Sequence, residues 1–166
     1  MNIAPNSTIT LRPANLEDVD VIVGLLRDAQ LPTDGVDTYL EDFFVAESEG
    51  RLIGCAGLEI HGAAGLVRSI AVSPEFRGQK IAERLYGELV KQGRDKGLRE
   101  LALLTTTAAP YFARFGFKTV SRDEIDPDLL ESDQFKSICP STATCMRVAL
   151  GCKPIGAQLG LGTIRR

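Results

Sequence analysis

Residues 7–14, STITLRPA, alternate apolar and polar side chains and end at Pro13, which predicts an edge strand. Asn15 stands three residues before Asp18 in the layout of a capping box, and Leu16, Val19, Ile22, Val23 and Leu26 then recur along one helical face. LPTDG breaks that helix, and a short second one is expected near Asp37–Phe43. FFVAES and LIGCAGLEIHG, joined through EGR, predict a hairpin, and AGLVRSIAVS predicts a third strand stopped by Pro74. From Gln79 the period changes: Ile81, Ala82, Leu85, Tyr86, Leu89 and Val90 make a broad helical stripe that Gly97 ends. LRELALLT reads as strand, TAAPYFARFG as a short helix and FKTVSR as strand. A polar excursion with a short helix at Pro127–Glu131 follows, and ATCMRVAL closes the sheet. The order β, α, α, β, β, β, α, β, α, β, β describes an α/β protein with a mixed sheet and helices on both faces.

A chain of 166 residues suits one domain, placed here at residues 1–150, with a Gly-rich, non-periodic tail at 151–166. A net charge of −3 and no basic stripe argue against nucleic acid as a partner. No apolar run approaches the roughly 18 residues that span a bilayer, so no membrane association is expected. The N-terminal stretch lacks a signal-peptide layout, and a cytoplasmic location follows as the expectation. Cys55, Cys139, Cys145 and Cys152 form no CxxC pair and the chain has a single histidine, so free thiols and no metal site are expected. The chain is read as a monomer or a homodimer.

One stretch carries chemistry. SIAV leads through PEFRGQKIA into a helix, and unpaired N–H groups at a helix start, reinforced by the helix dipole, form an anion site. That strand, loop and helix, followed about thirty residues on by LTTTAAPYFARFGF, resembles the GNAT superfamily of acetyl-CoA-dependent N-acetyltransferases over roughly Thr8 to Leu150. The resemblance implies the GNAT fold, with a mostly antiparallel central sheet. It also implies acetyl-CoA as co-substrate, its pyrophosphate held by the backbone of Arg77, Gly78, Gln79, Lys80, Ile81 and Ala82. Ile70, Ala71 and Val72 would pair with the pantetheine arm. The family loop reads R/Q-x-x-G-x-G/A; Arg77 and Ala82 fit, and Lys80 stands where glycine is usual. Its ammonium is expected to reach a phosphate rather than its Cβ to crowd the loop, on the ground that right-handed geometry at a helix start needs no glycine.

Acetyl transfer to an amine needs a base, a polarised carbonyl and a stabilised thiolate. In the family a backbone N–H of the strand here read as Arg68–Val72 polarises the carbonyl, that of Ile70 or Val72. Cys55, Gly57, Glu59 and His61 fall on one face of their strand, opposite Ala56, Leu58 and Ile60. Glu59, in mid-strand among small and apolar neighbours, is the candidate base, its pKa expected to rise on burial. His61 is read as an exposed turn residue. The family's tyrosine acid would fall at Phe112, so Tyr111 is a displaced candidate acid, or the thiolate leaves unassisted. Phe112 is expected against the pantetheine or the core. Thr107 is read as a helix cap that could also meet the cofactor through water.

LLTTTAAPYFARFGF also resembles bacterial N-acetylglutamate synthases. Together with LPTDG, FFVAESEGRLIGCAGLEIHG and SDQFKSICPSTATCMRVAL it resembles stand-alone acetyltransferases associated with arsenic resistance, a branch close to amino-acid acetyltransferases. The resemblance implies a small, amino-acid-like amine acceptor, whose carboxylate a guanidinium would hold. Arg68, read as sharing a strand face with Ile70 and Val72, is preferred to Arg12. Cys139 and Cys145 are read as packing residues. The alternatives are acetylation of a protein or peptide amine, and a non-catalytic acyl-CoA-binding protein.

Overall fold

The computed structural model describes residues 8–138 and 140–151. Seven strands form one sheet: β1 (Ile9–Pro13), β2 (Phe43–Ser48), β3 (Arg51–His61), β4 (Ala64–Val72), β5 (Glu100–Thr105), β6 (Lys118–Thr119) and β7 (Thr144–Ala149). Their spatial order is β1-β2-β3-β4-β5-β7-β6, and all pairs are antiparallel except β4 with β5. The helices are α1 (Val19–Asp28), α2 (Ile81–Asp95) and α3 (Ala109–Ala113). The expected mixed sheet is present, but β7 lies between β5 and β6 instead of closing it. β7 pairs with β5 from Glu100↔Ala149 to Thr105↔Thr144, whereas β6 offers only two residues. The rest of FKTVSR is drawn into a 3-10 turn, Arg122–Glu124, which Ser121 and Glu124 cap reciprocally.

Local chemistry explains the other boundaries. β2 and β3 meet at Glu49–Gly50, both with positive φ (52° and 77°), a two-residue turn whose twist matches the strands. The Asn15–Asp18 capping box forms as expected, but it opens a 3-10 turn, and α1 proper begins at Val19. Leu16 is therefore rotated off the apolar face and is 80% exposed. The second helix near Asp37–Phe43 is absent: a 3-10 turn, Leu40–Asp42, replaces it because Phe43 already pairs with Gly57 in the sheet. Pro127–Glu131 is a 3-10 turn capped by Asp126, followed by one wide turn at Gln134–Ile138.

α1 packs Ile22 and Leu26 on one sheet face, against Phe43, Val45, Cys55 and Ala71. α2 packs Ile81, Leu85 and Leu89 on the other, against Ile53, Ala56, Leu58, Leu101 and Leu103. Beside α1, the 122–138 segment covers Leu66 and Ala102 with Ile125, Leu129 and Phe135.

Candidate active site

β4 and β5 pair only from Ala64–Leu66 to Glu100–Ala102, and then the two strands part. Beyond the fork, residues 67–72 and 103–105 form opposite walls of a cleft of about 800 Å³. Gly65 marks the junction, where an added Cβ would lie 2.8 Å from Leu58 and 2.9 Å from both Leu98 and Leu101. Past the fork the facing strand edges have lost each other as partners, and backbone N–H and C=O groups there are open to an extended ligand carrying amides of its own.

The outer end of the cleft is the loop into α2. The first intrahelical bond runs from Arg84 N–H to the Lys80 carbonyl, 3.1 Å, and no side chain caps the helix. The N–H groups of Ile81, Ala82 and Glu83 thus have no intrahelical acceptor, and the dipole of a 15-residue helix adds positive potential. Gly78 and Lys80 both take positive φ, 84° and 61°. This corrects the expectation of right-handed geometry at Lys80. The chain turns through a left-handed residue to enter α2, so this position favours glycine and Lys80 is held there at a conformational cost. Arg77, Gly78, Lys80, Ile81 and Ala82 line the cleft with Ile70, Ala71 and Val72; Gln79 sits at the exposed loop tip, outside the lining. The Arg77 side chain reaches back to the Val72 carbonyl at 3.4 Å.

Mid-way along, β4 bulges. Cys55 pairs with Ala71 and Gly57 with Arg68, so Ala56 faces both Ser69 and Ile70. Ser69 adopts φ 61° to absorb the extra residue. The bulge shifts the alternation by one, which overturns the placement of Arg68 on the face of Ile70 and Val72. Those two pack on the α2 side, whereas the Arg68 guanidinium lies over the Phe43 ring, 5.9 Å from its centroid. Beneath the bulge Cys55 donates its thiol to the Ser69 carbonyl at 3.2 Å, and burial pushes that thiol up to about 12.

Arg68 and Glu59, predicted for separate tasks, are partners. Arg68 Nη1 donates to Glu59 Oε2 at 2.6 Å, Nη2 donates to the Asp34 carbonyl, and Nε donates to Ser69 Oγ at 2.9 Å. Ser132 donates its hydroxyl to Glu59 Oε1 at 2.7 Å, and His61 Nε2 lies 3.1 Å from the same oxygen. Glu59 is only 2% exposed and does not line the cleft. The apolar setting expected for it is thus replaced by donors, supplied by β4 and by the 122–138 segment. His61 is not an exposed turn residue: it is half-buried, with its ring 5.8 Å from that of Tyr39. Arg12 is committed elsewhere, bridging Asp18 (2.7 Å) and Glu47 (2.7 Å).

On the far wall, Thr107, Tyr111 and Phe112 line the cleft. Tyr111 stacks edge-on against Phe112 and Phe115, 5.3 and 5.2 Å between centroids. Burial, with Glu83 nearby, holds its phenol above the usual tyrosine range, so it is a proton donor at neutral pH. Thr105, not Thr107, closes the turn into α3, accepting from Ala108 N–H at 2.9 Å, because the helix starts two residues later than its polar run suggests. Ser132 and Gln134 are site residues that sequence reasoning missed. Ser132 lies 73 residues from Glu59 and carries no periodic signal. Cys145 is buried under Phe135 as a packing residue. Cys139 and the tail beyond Gly151 lie outside the described residues.

Residues 40–119 match the family described as acetyltransferase (GNAT) domain. The chain is 29% identical over 133 residues to an amino-acid acetyltransferase of Neisseria meningitidis, covering 75% of this chain and 30% of that protein. It is 30% identical to an amino-acid acetyltransferase of Pseudomonas aeruginosa, covering 69% and 29%. The chain therefore spans about a third of the length of these relatives. N-acetylglutamate synthase from Neisseria gonorrhoeae, complexed with coenzyme A and N-acetyl-glutamate, superposes with a TM-score of 0.76 at 24% identity, covering 89% of this chain and 36% of that one. Rv2747 from Mycobacterium tuberculosis, in complex with CoA, gives 0.72 at 21% identity, covering 84% and 98%. The forked β4–β5 sheet and the loop into α2 are those of the GNAT fold, and the segment that matches the GNAT acetyltransferase domain, residues 40–119, carries both arms of the fork and that loop.

Proposed function

We propose that this protein transfers the acetyl group of acetyl-CoA to the primary amine of a small, amino-acid-like acceptor. The observation that carries the reading is the cleft at the β4–β5 fork, with an uncapped helix start at one end and a buried guanidinium at the other. Relatives and structural neighbours named for amino-acid acetylation or N-acetylglutamate synthesis support the acceptor class.

Bound acetyl-CoA supplies a thioester carbon that an amine attacks, forming the amide C–N bond as the C–S bond breaks. The residues fit that group. The N–H groups of Ile81 and Ala82, with the loop from Arg77, take the pyrophosphate, and the Lys80 ammonium adds a charged contact. The open edge at Ile70–Val72 takes the pantetheine amides as a strand would. A backbone N–H of Ile70 or Val72, beside the bulge, polarises the thioester carbonyl. Tyr111 gives its proton to the departing sulfur, and the amine proton passes to water in the open cleft.

Calorimetric titration with acetyl-CoA, followed by a thiol-release assay over a panel of free amino acids, tests this. Micromolar binding with turnover of at least one amino acid is expected. Absence of binding removes the reading.

A further inference from the structure

A second, smaller pocket of about 60 Å³ opens behind the cleft, bounded by Leu31, Pro32, Leu66, Arg68, Leu104 and Gln134. Arg68 borders both spaces. We propose that this smaller pocket is the seat of the acceptor's carboxylate, and that Glu59 is a positioning residue that aims Arg68 at it instead of a base that takes the amine proton. The inference rests on the acetyltransferase reading and names the chemistry of its acceptor.

Size comes first. At one water-sized sphere per roughly 10–15 Å³, the pocket holds about four to six non-hydrogen atoms, a carboxylate with one or two carbons. Its walls are apolar apart from the buried Arg68, Ser69 and the buried Gln134 amide. A guanidinium carries five N–H bonds, and Arg68 spends one each on Glu59, Asp34 and Ser69 among the described residues. Two are left, one on each Nη, which is the fork that a carboxylate accepts bidentately.

Glu59 is committed within this cluster. One oxygen accepts from Arg68, while the other accepts from Ser132 and faces His61, and the carboxylate lies outside the cleft lining. An amine in the cleft would meet Arg68 before Glu59. The Ser132 hydroxyl, donating to Glu59, offsets part of its charge and leaves Arg68 able to attract a second anion. Ser132 and Gln134 both belong to the segment between β6 and β7, so that segment sets acceptor choice through a hydroxyl, an amide and no titrating group in the cleft.

The test is binding to CoA-loaded protein, measured by calorimetry. The probes are N-acetylglycine, N-acetyl-L-alanine and N-acetyl-L-glutamate, each beside its uncharged carboxamide. CoA affinity itself reports separately on the acetyltransferase reading. At least one acid should bind tenfold or more tighter than its carboxamide. Arg68→Lys keeps the charge opposite Glu59 but loses the fork, and should weaken the acids at least fivefold with the carboxamides unchanged. The double variant Glu59→Gln/Arg68→Met removes both charges together, avoiding an unpaired buried ion, and should bind CoA normally without preferring acids. Equal binding of acids and carboxamides, or of neither, overturns the pocket assignment. Acid preference surviving in the double variant overturns it as well. If Glu59→Gln keeps the full acid preference yet loses turnover and the acidic limb of its pH profile, the positioning role is refuted.

Discussion

Lys80→Gly separates two effects that the loop superimposes. Lys80 sits at φ 61°, ψ 26°, immediately before α2. A non-glycine residue in that region costs about 1–2 kcal/mol from contact between Cβ and the neighbouring carbonyl. Glycine removes that contact but raises the entropy of the unfolded chain by about 0.4–1 kcal/mol. Taken at the midpoints of the two ranges, the net stabilisation is about 0.8 kcal/mol, a rise in Tm of roughly 2–3 °C for a chain of this size. Lys80 is exposed, and its ammonium makes no hydrogen bond or ion pair among the described residues, so nothing in the fold opposes the gain. The CoA contact moves the other way. Losing the ammonium should weaken acetyl-CoA about fivefold at low salt, and less as added salt screens the contact. Lys80→Ala is the control: it keeps the strained Cβ and loses the charge, so its Tm should stay near wild type while its affinity falls like that of the glycine variant. Thermal unfolding and calorimetry on the three proteins read both effects. A glycine variant no more stable than the alanine variant refutes the strain argument. Equal acetyl-CoA affinity in all three refutes the phosphate role of the lysine.

Other expectations follow from the same geometry. Tyr111→Phe should lower kcat by about 10–100-fold with acetyl-CoA affinity unchanged, and the wild-type rate should show no alkaline limb from this phenol below about pH 10, since its pKa is raised; steady-state kinetics across pH check both. Arg12 holds the Asp18 carboxyl below its ordinary range. Because the folded pKa is depressed, the stability it confers is present above the unfolded value near about 3.9 and is lost as pH falls through the folded one. Arg12→Ala should therefore cost about 1–2 kcal/mol at pH 7, with the gap to wild type closing below about pH 4 in urea titrations. Gly57→Ala places a Cβ 2.3 Å from the buried Phe43 ring, over which Arg68 lies. Displacing that ring should cost about 1–3 kcal/mol by overpacking, read as a lower urea midpoint at unchanged slope.

Much of the fold was legible before any coordinates. The alternation in β1 to β4, the α2 stripe ending at Gly97, the Asn15–Asp18 capping box and the phosphate-type loop all rest on contacts within a few residues, so local order encodes them. The same locality explains the failures. Asp37–Phe43 has helical spacing, but the sheet takes Phe43. FKTVSR has strand composition, but Ser121 caps a turn inside it. Strand phase is local only until a bulge intervenes: once Ala56 faces both Ser69 and Ile70, Arg68 moves to the α1 side, and nothing in VRSIAV announces it. The loop motif marked Lys80 as unusual, yet its left-handed backbone depends on how β4 and α2 are joined across the sheet. The sequence by itself thus determined most of the elements, the resemblance to the GNAT fold and the loop that suits a phosphate. Tertiary structure alone decided that β4 and β5 part after three paired residues and that Glu59 is spent on Arg68. It also decided that Ser132, 73 residues away, completes their cluster, because strand register and long-range packing set which side chains share one buried space.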